Sequence, residues 1–410
     1  MKRGKTVRLE RLGAALLSGL LLLGIATASR ADEDAALMHA RKLLQSTILV
    51  DGHNDLPWAV RTNKEAPGDV KAYDLRKPTS GQTDFARLKL GGVGAQFWSV
   101  YIPGEAAGGF ARTQLEQIDI ARRIIAQYPD RLQFATSVAE IRAAHKAGRI
   151  ASMLGMEGGH AIEDSLGALR AYYDLGVRYM TLTHNVNTSW ADSQAVPPEH
   201  GGLTPFGEQV VLEMNKLGML VDLSHTSDGT MDDALRVSKA PVIFSHSSAR
   251  AICNVPRNVP DDILKRLKTN GGVVMVTFVA GFIDPAVAAI QLPAMAEITK
   301  RATGKTPEER EKIEEEVLGK IKMPPTSIAK VADHIEHIRD VAGVEHIGLG
   351  GDFDGNTQWP VGLSDVSMYP NLFAELIRRG WSDNDLKLLA GENVLRAMEQ
   401  AEAVSRRLSR

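Results

Sequence analysis

Six short apolar runs in this chain each end in a His, Asp or Glu, and this repeated pattern constrains the fold more than any other feature. The runs are ILVDGHND, ASMLGME, RYMTLTH, MLVDLSH, PVIFSH and HIGLGGDFD. The metal-binding side chain types at their ends are His53, Asp55, Glu157, His184, His225, His246 and Asp352. Such ends in succession indicate that strand ends converge on one site, as they do in barrels of parallel strands.

The pattern of strand-like and helix-like segments predicts the fold class. Several of the strand-like runs are continuously apolar, which is typical of parallel strands buried on both faces. Amphipathic stretches lie between most of them, and many of these end in Gly, a helix-ending signal. The predicted strands lie at 48–53, 94–102, 151–157, 178–184, 219–225, 241–246, 272–280 and 346–352. This alternation predicts an α/β fold, the (β/α)8 TIM barrel.

One segment does not follow the alternation. Residues 285–325 are highly charged and have a high helical propensity. They predict a helical insertion between the seventh and eighth predicted strands. An exposed helical surface and a partial lid over the site are both compatible with this composition.

The first residues have the pattern of a secretory signal peptide. Basic residues precede an apolar stretch from Leu12 to Ala28, and small residues permit cleavage after Ala28 or after Ala31. The expected organisation is a signal peptide at 1–31 and a single catalytic barrel domain at 32–410. An uncleaved membrane anchor is the alternative, although the apolar run is short for a membrane span.

The net charge and the cysteine content limit the possible binding partners and cross-links of the protein. The net charge is −2 and no basic stripe is present, so nucleic acid is not an expected partner. Cys253 is the single cysteine, so an intramolecular disulfide is excluded. The sequence shows neither an acylation site after the apolar stretch nor a lipid-anchor signal at its polar end. We therefore expect a periplasmic or secreted protein with no membrane anchor after cleavage.

The first predicted metal site lies at the end of the first strand. His53 and Asp55 are two residues apart, which places both side chains on one face of an extended segment. Imidazole nitrogen and carboxylate oxygen are both good Zn²⁺ ligands. Glu157 ends the third predicted strand, and its carboxylate has two oxygens that can bridge two metals.

The second predicted metal site pairs two histidines. His225 and His246 are separated by one helix-plus-strand unit of a barrel, and each follows a serine. With Glu157 they complete a second set of ligands. Two metals in such a site can share a hydroxide and polarise a carbonyl.

Four further residues are candidates for contacts with a substrate. His184 is either a third ligand or an uncoordinated imidazole that stabilises an oxyanion. Asp352 suits proton transfer, and Asp354 is its rival on the same face. Arg257 follows the sixth strand and can clamp a carboxylate through two hydrogen bonds; a surface loop Arg is the alternative.

The other histidines are not predicted to be ligands. His160 lies close to Glu157 and is expected to support the site from behind its ligands. His346 begins the last predicted strand, at the end of the barrel associated with stability. The histidines expected on the surface are His39, His145, His200, His334 and His337.

Several long segments carry a resemblance to a known family. They are VDGHNDLPW, GMEGGH, YMTLTHNVNTSWADS, VDLSH, FSHSSAR, NVPRNVPDD and GLGGDFDG. The chain resembles the membrane dipeptidase (renal dipeptidase) family of zinc peptidases, a branch of the amidohydrolase-type barrels. The resemblance extends over roughly residues 48 to 400, in the order of the family's motifs.

The resemblance implies a binuclear zinc centre with two Zn²⁺ per chain. It assigns one zinc to His53 and Asp55, the other to His225 and His246, and the bridge to Glu157.

The resemblance also implies roles around the metals. His184 would contact the substrate without binding metal, Arg257 would bind the C-terminal carboxylate of the dipeptide, and Asp352 would handle protons. It further implies a homodimer and tolerance of a D-residue at the C-terminal position. One departure is the segment 278–282, FVAGF, where the family often has a Tyr-rich sequence.

The sequence as a whole predicts an exported binuclear zinc dipeptidase that hydrolyses dipeptides by attack of a metal-bridging hydroxide. A barrel fold does not by itself decide the reaction, so a metal-dependent lactonase or deaminase is an alternative. A non-enzymatic periplasmic metal-binding protein is a second alternative. It is disfavoured because storage of a metal requires no proton-transferring carboxylate such as Asp352.

Overall fold

The fold was determined in a computed structural model, which describes residues 35–104, 108–302, 305 and 307–409. The predicted signal peptide at 1–31 lies outside these residues. The strands are β1 (Leu49–Asn54), β2 (Val93–Ser99), β3 (Leu132–Phe134), β4 (Ile150–Glu157), β5 (Val177–Thr181), β6 (Leu220–Asp222), β7 (Val242–Ser247), β8 (Val273–Val276) and β9 (Ile347–Leu349).

The strands form a closed parallel barrel. Their order is β2-β1-β9-β8-β7-β6-β5-β4, and a further pairing of β2 with β4 closes the ring of eight. All of these pairs are parallel. The short β3 pairs with the first residues of β4, outside the ring. The predicted TIM barrel is therefore confirmed.

Helices connect the strands. They are residues 35–45 (α1), Leu56–Arg61 (α2), Phe85–Gly91 (α3), Phe110–Gln127 (α4), Val138–Lys146 (α5), Leu166–Asp174 (α6), Pro205–Leu217 (α7), Asp228–Val237 (α8), Asp261–Asn270 (α9), Ala280–Ile283 (α10), Pro285–Ala302 (α11), Pro307–Leu318 (α12), Ile328–Ala342 (α13), Tyr369–Arg378 (α14), Asp383–Lys387 (α15) and Asn393–Leu408 (α16). Short 3-10 turns lie at Gly159–Ile162, Val344–His346 and Val366–Met368, and a π-helical turn lies at Leu388–Glu392.

Local sequence signals explain where these helices begin and end. Thr204 caps α7 by accepting a hydrogen bond from the Gly207 backbone N–H, and Ser227 caps α8 in the same way through Thr230. Gly218 ends α7 in the left-handed region, with φ 82°. A side chain is disfavoured in that conformation, which is why the helix stops at a glycine.

Alternate residues along the strands contribute to two different apolar cores. Val50 and Met275 belong to a cluster in the barrel interior, whereas the neighbouring Leu49 and Val274 pack outward under the helices. Leu395 of α16 joins the inner cluster and closes the amino-terminal end of the barrel. The carboxyl-terminal end stays open for polar side chains.

The segment between β8 and β9 contains the helices α11 and α12, within the predicted 285–325 region. They pack on each other through a small apolar cluster that includes Ala294, Ile298 and Val317. An ion pair of 2.5 Å between Arg301 and Glu316 also joins them. The role of this pair of helices as a lid stays a prediction.

Candidate metal centre

The candidate ligands converge at the carboxyl-terminal end of the barrel. His53, Glu157 and His246 lie on the last residues of β1, β4 and β7. Asp55 directly follows β1, and His225 follows β6 after two residues. The strands β5, β6 and β9 end earlier than the sequence predicted, so part of the candidate set lies on the loops that follow them. These loops can adopt geometries that a strand cannot, as His225 shows with a φ of 63°.

The Glu157 carboxylate occupies the middle of the site. Its Oε1 lies 3.1 Å from Nε2 of His225 and 3.2 Å from Nε2 of His246. Its Oε2 lies 3.5 Å from Nε2 of His53. Each oxygen therefore faces a different group of nitrogens, as a carboxylate that bridges two cations would.

Of three overlapping sets of donor atoms that the described residues form, the two that share Glu157 fit a pair of metal ions, and the third joins His53 and His246 to Asp352. One set is His53, Asp55 and Glu157, and the other is Glu157, His225 and His246; in each, the ligand atoms lie within 4.8 Å of one another. Among the described residues, neither His53 Nε2 nor Asp55 Oδ1 makes a hydrogen bond, although both are buried. Buried polar atoms without partners are costly, and a bound cation would satisfy both. Nitrogen and oxygen donors of this kind suit Zn²⁺.

A neighbouring tyrosine sets the orientation of His53. The Tyr179 hydroxyl lies 2.9 Å from His53 Nδ1 and donates to the Gly52 carbonyl at 3.1 Å. Because the single hydroxyl proton is directed at the carbonyl, Nδ1 must be the donor to Tyr179. When the ring is neutral, Nε2 then carries a lone pair directed into the site, as a metal ligand requires.

The electrostatic environment keeps the Glu157 carboxyl negatively charged, which favours the binding of cations. Burial raises the pKa of the Glu157 carboxyl, but the surrounding histidines outweigh this and hold it well below its usual range. Burial, followed by the Arg257 guanidinium, lowers the pKa of His225. For His246 burial is followed by His53 and then by Arg257, and its pKa is also lowered. A negative carboxylate and two neutral imidazoles are the protonation states that bind a metal.

His184 lies beside these ligands but outside both sets. Its Nε2 is 3.9 Å from Glu157 Oε1, and its ring centroid is 4.3 Å from that of His225. Tyr101 packs on its other side, with ring centroids 4.9 Å apart. The geometry places His184 where it can contact a substrate; this role stays a prediction.

Arg257 is buried at the edge of the site. Its Nη1 donates to Ser247 Oγ at 2.6 Å. Its Nε and Nη2 have no hydrogen-bond partner within the described part of the chain. Burial lowers the pKa of the guanidinium to about 10, and it stays charged at neutral pH. Unpaired donors on a buried cation favour an anionic ligand, which agrees with the predicted carboxylate clamp.

The structure distinguishes the surroundings of Asp352 from those of Asp354. An Asp352 oxygen lies within 4.8 Å of ligand nitrogens of His53 and His246. Burial, with Asp55 and Glu157 close by, raises the pKa of Asp352 well above its usual value. Asp354 instead turns toward another loop, where its Oδ1 accepts a hydrogen bond of 2.6 Å from the Gln82 backbone N–H. The structure therefore places Asp352, and not Asp354, beside the candidate ligands; its role in proton transfer stays a prediction.

Comparisons with known proteins show the family of the chain. Residues 37–410 match the family model described as membrane dipeptidase, peptidase family M19. The chain belongs to this family. It is 42% identical over 387 residues to dipeptidase verJ of Clonostachys rogersoniana, covering 92% of this chain and 89% of that protein. It is also 42% identical to dipeptidase 3 of Rattus norvegicus over 371 residues, covering 89% of this chain and 67% of that protein.

A solved structure shares the fold of this metallo-dipeptidase. A metallopeptidase of Rhodobacter sphaeroides, liganded with a phosphinate mimic of the dipeptide L-Ala-D-Ala, superposes with a TM-score of 0.72 at 25% identity. The match covers 87% of this chain and 99% of that one. Family membership shows that the protein is a metal-dependent dipeptidase.

One histidine of the dipeptidase was assigned to the wrong environment by its sequence context. His334 was expected on the surface, but it is fully buried on α13. Its Nδ1 accepts from the Ala249 backbone N–H at 3.0 Å, and its Nε2 donates to the Ile283 carbonyl at 3.1 Å. The helix periodicity places it among apolar residues, but it is the two backbone contacts, with Ala249 and with Ile283 at the end of α10, that make its burial possible. His160, in contrast, lies behind Glu157 as expected, with Nε2 bound to the Ile102 carbonyl at 3.2 Å.

The structure adds residues that the sequence did not single out. Asp51 is buried behind His53, and its Oδ1 accepts from the backbone N–H groups of His53 at 2.9 Å and Gly351 at 3.2 Å. Its other oxygen contacts the Tyr369 hydroxyl. Burial raises the pKa of Asp51 to about 6. The sequence offered a signal for such a support, because an aspartate lies shortly before two of the candidate ligands: Asp51 is two residues before His53, and Asp222 is three residues before His225.

Proposed function

We propose that this protein is a binuclear zinc dipeptidase that cleaves free dipeptides, including those with a C-terminal D-residue. The observation that carries the proposal is the division of the donor atoms into two sets that share Glu157, beside a buried arginine with unpaired donors. A metal pair and a carboxylate clamp at one end of a barrel suit a short substrate with a free C-terminus.

The ligand sets define where each zinc would bind. His53 and Asp55 would hold one ion, His225 and His246 the other, and Glu157 would bridge them. Two such ions supply a strong nucleophile from water at neutral pH and polarise the scissile carbonyl.

The remaining residues bind and orient the substrate. Arg257 pairs through Nε and Nη2 with the C-terminal carboxylate, because these donors are buried and unpaired. His184 donates a hydrogen bond to the carbonyl oxygen as negative charge develops there. Asp352, which lies beside the ligand nitrogens of His53 and His246, accepts a proton from the attacking water and delivers it to the leaving amine.

Tolerance of a D-residue at the C-terminal position follows from the substrate groups that the site contacts. The carboxylate clamp and the carbonyl contact fix the backbone of the substrate more than its C-terminal side chain. The Rhodobacter sphaeroides metallopeptidase, a structural relative, was solved with a phosphinate mimic of L-Ala-D-Ala. This supports the same stereochemical tolerance here.

We also propose that the mature protein is exported to the periplasm or secreted, and that it is a homodimer. Within the described residues, no helix combines the length and apolar character needed to cross a bilayer. The signal-like pattern of the first residues supports export. N-terminal sequencing of the secreted protein and light scattering of the purified protein test the two parts.

A comparison of matched substrates tests the proposed activity. Zinc-loaded protein should hydrolyse L-Ala-L-Ala and L-Ala-D-Ala, and it should lose this activity in chelator and regain it with zinc. L-Ala-L-Ala-amide and tri-alanine should be poorer substrates by about ten- to a hundredfold, because a buried cation left unpaired costs roughly 1–3 kcal/mol. Equal kcat/KM for the amide would refute the carboxylate clamp, and turnover of a lactone in place of dipeptides would refute the peptidase assignment.

A further inference from the structure

A buried carboxylate behind the second ligand set has no role in the proposed reaction. Asp222, the last residue of β6, is fully buried. Its Oδ1 accepts from the backbone N–H groups of Ser224 at 3.1 Å and Ser245 at 2.8 Å. Its Oδ2 accepts from Thr181 Oγ1 at 2.5 Å and Ser245 Oγ at 2.6 Å. Four donors from three strand ends thus saturate one carboxylate.

Ser245 connects this carboxylate to a ligand histidine. Its Oγ lies 2.8 Å from His246 Nδ1 as well as 2.6 Å from Asp222 Oδ2. A hydroxyl has one proton, and a carboxylate can only accept. The proton therefore goes to Asp222, which is the shorter, charge-assisted contact. Nδ1 of His246 must then be the donor to Ser245.

This arrangement of protons determines which ring nitrogen of His246 can bind a metal. With Nδ1 protonated and the imidazole neutral, Nε2 carries the lone pair. Nε2 is the atom 3.2 Å from Glu157 Oε1 and 3.1 Å from Nε2 of His225. We propose that Asp222 is a positioning residue that acts through Ser245 to fix the tautomer of His246 for metal binding. This inference rests on the proposed metal centre.

A second branch of the same hydroxyl cluster leads to the substrate clamp. Ser224 Oγ accepts from the His246 backbone N–H at 3.1 Å and contacts Ser247 Oγ at 3.2 Å. Ser247 Oγ in turn accepts from Arg257 Nη1 at 2.6 Å. Ser245 and Ser247 lie on the same strand, two residues apart, and serve different groups. They therefore provide a matched pair of variants.

Asp222→Asn reverses the direction of the hydroxyl while keeping the shape of the side chain. The two backbone N–H groups require the amide oxygen on the Oδ1 side, so the amide nitrogen faces Thr181 and Ser245. It donates to Ser245 Oγ, whose proton then turns to His246 Nδ1 and favours protonation of Nε2. Ser245→Ala removes the hydroxyl alone.

Zinc affinity, measured by competition with a chromophoric chelator, tests the proposal. Asp222→Asn and Ser245→Ala should each lower the affinity for one of the two zinc ions by about 10- to 100-fold. This is the usual effect of losing a residue that orients a metal-bound histidine. In zinc-loaded protein labelled with 15N-histidine, the ring-nitrogen signals of one histidine should change in both variants. Ser245→Ala alone decides the outcome if Asp222→Asn fails to fold.

Ser247→Ala is the control for general loosening of the strand. It should bind both zinc ions within about twofold of the parent, while KM for L-Ala-L-Ala rises about tenfold because Arg257 loses a charge-assisted partner. Unchanged zinc affinity and histidine signals in Asp222→Asn and Ser245→Ala would overturn the proposal. So would an equal loss of zinc in Ser247→Ala. A parent protein that binds no zinc would instead refute the proposed function.

Discussion

The two ends of the barrel are built from opposite chemistry. At the amino-terminal end the interior is apolar, and Leu395 of α16 closes it. At the carboxyl-terminal end the buried residues are charged or polar, and several of their atoms have no hydrogen-bond partner among the described residues. One end supplies stability through burial, whereas the other retains costly polar groups because they bind and react. Substitutions at the two ends should therefore separate stability from activity.

The largest effect is expected at the shared ligand. Glu157→Ala should lower metal content at both sites and reduce kcat/KM by at least about 10³-fold, more than the loss of one hydrogen-bond donor to a reacting atom. Metal analysis and dipeptide turnover measure the two effects. Asp354→Asn is a matched control, because this half-buried carboxyl bonds to the Gln82 backbone N–H and turns away from the site; it should keep both metals.

His184→Ala should lose catalysis and keep the metals. Loss of an oxyanion-type contact lowers the rate by on the order of 10²–10³. Kinetics and metal analysis on one preparation provide the measurement. A variant that retains only half of the metal would show that His184 is a ligand, which contradicts the assignment made here.

Leu395→Ala tests the opposite end of the barrel. The side chain is fully buried in the inner apolar cluster, so its truncation should destabilise the protein by about 2–5 kcal/mol. Denaturant unfolding measures the loss. Below the unfolding transition, activity per folded molecule should match the parent, and a fall in zinc affinity would show that the two ends are coupled.

Tyr179 contacts both the apolar interior and the metal-binding end of the barrel, so its two parts can be tested separately. Its ring lies in the inner apolar cluster, while its hydroxyl bonds to His53. Tyr179→Phe should weaken zinc binding by about 10- to 100-fold, because the orienting partner of a ligand is lost. The expected change in unfolding free energy is small, since the ring stays in place. A large loss of stability with unchanged zinc affinity would contradict this division of roles.

The smallest effect is a pH dependence that reflects burial of a polar group. Burial lowers the pKa of His334 to about 4, below its ordinary value near 6.5. The unfolded chain therefore binds an extra proton between these values, and folding stability falls as the pH drops from about 6.5 toward 4. The contribution is at most about 1.4 kcal/mol per pH unit. Chemical denaturation across this range should show a shallower fall for His334→Gln; an identical slope would disprove the assignment.

The sequence by itself determined the barrel and the identity of the candidate ligands. Continuous apolar runs that alternate with amphipathic helices are typical of parallel strands buried on both faces, and the carboxyl ends of the strands of such a barrel meet at one end. A ligand type at a strand end, such as Glu157 or His246, therefore has a predictable position from local sequence alone. The same local pattern did not distinguish Asp352 from Asp354, because both follow the strand on the same face.

Tertiary structure decided everything that depends on contacts between distant residues. The partner of His53 is Tyr179, 126 residues away, and Asp222 gathers donors from neighbouring strands. The burial of His334 likewise depends on backbone groups of Ala249 and Ile283, which its own helix does not encode. A hydrogen bond across a barrel depends on how closed strands are staggered, and strand periodicity carries no information about that distance. The sequence thus determined which side chains reach the carboxyl-terminal end of the barrel. The closed barrel determined their hydrogen-bond partners, and with them which ring nitrogen of a histidine is protonated.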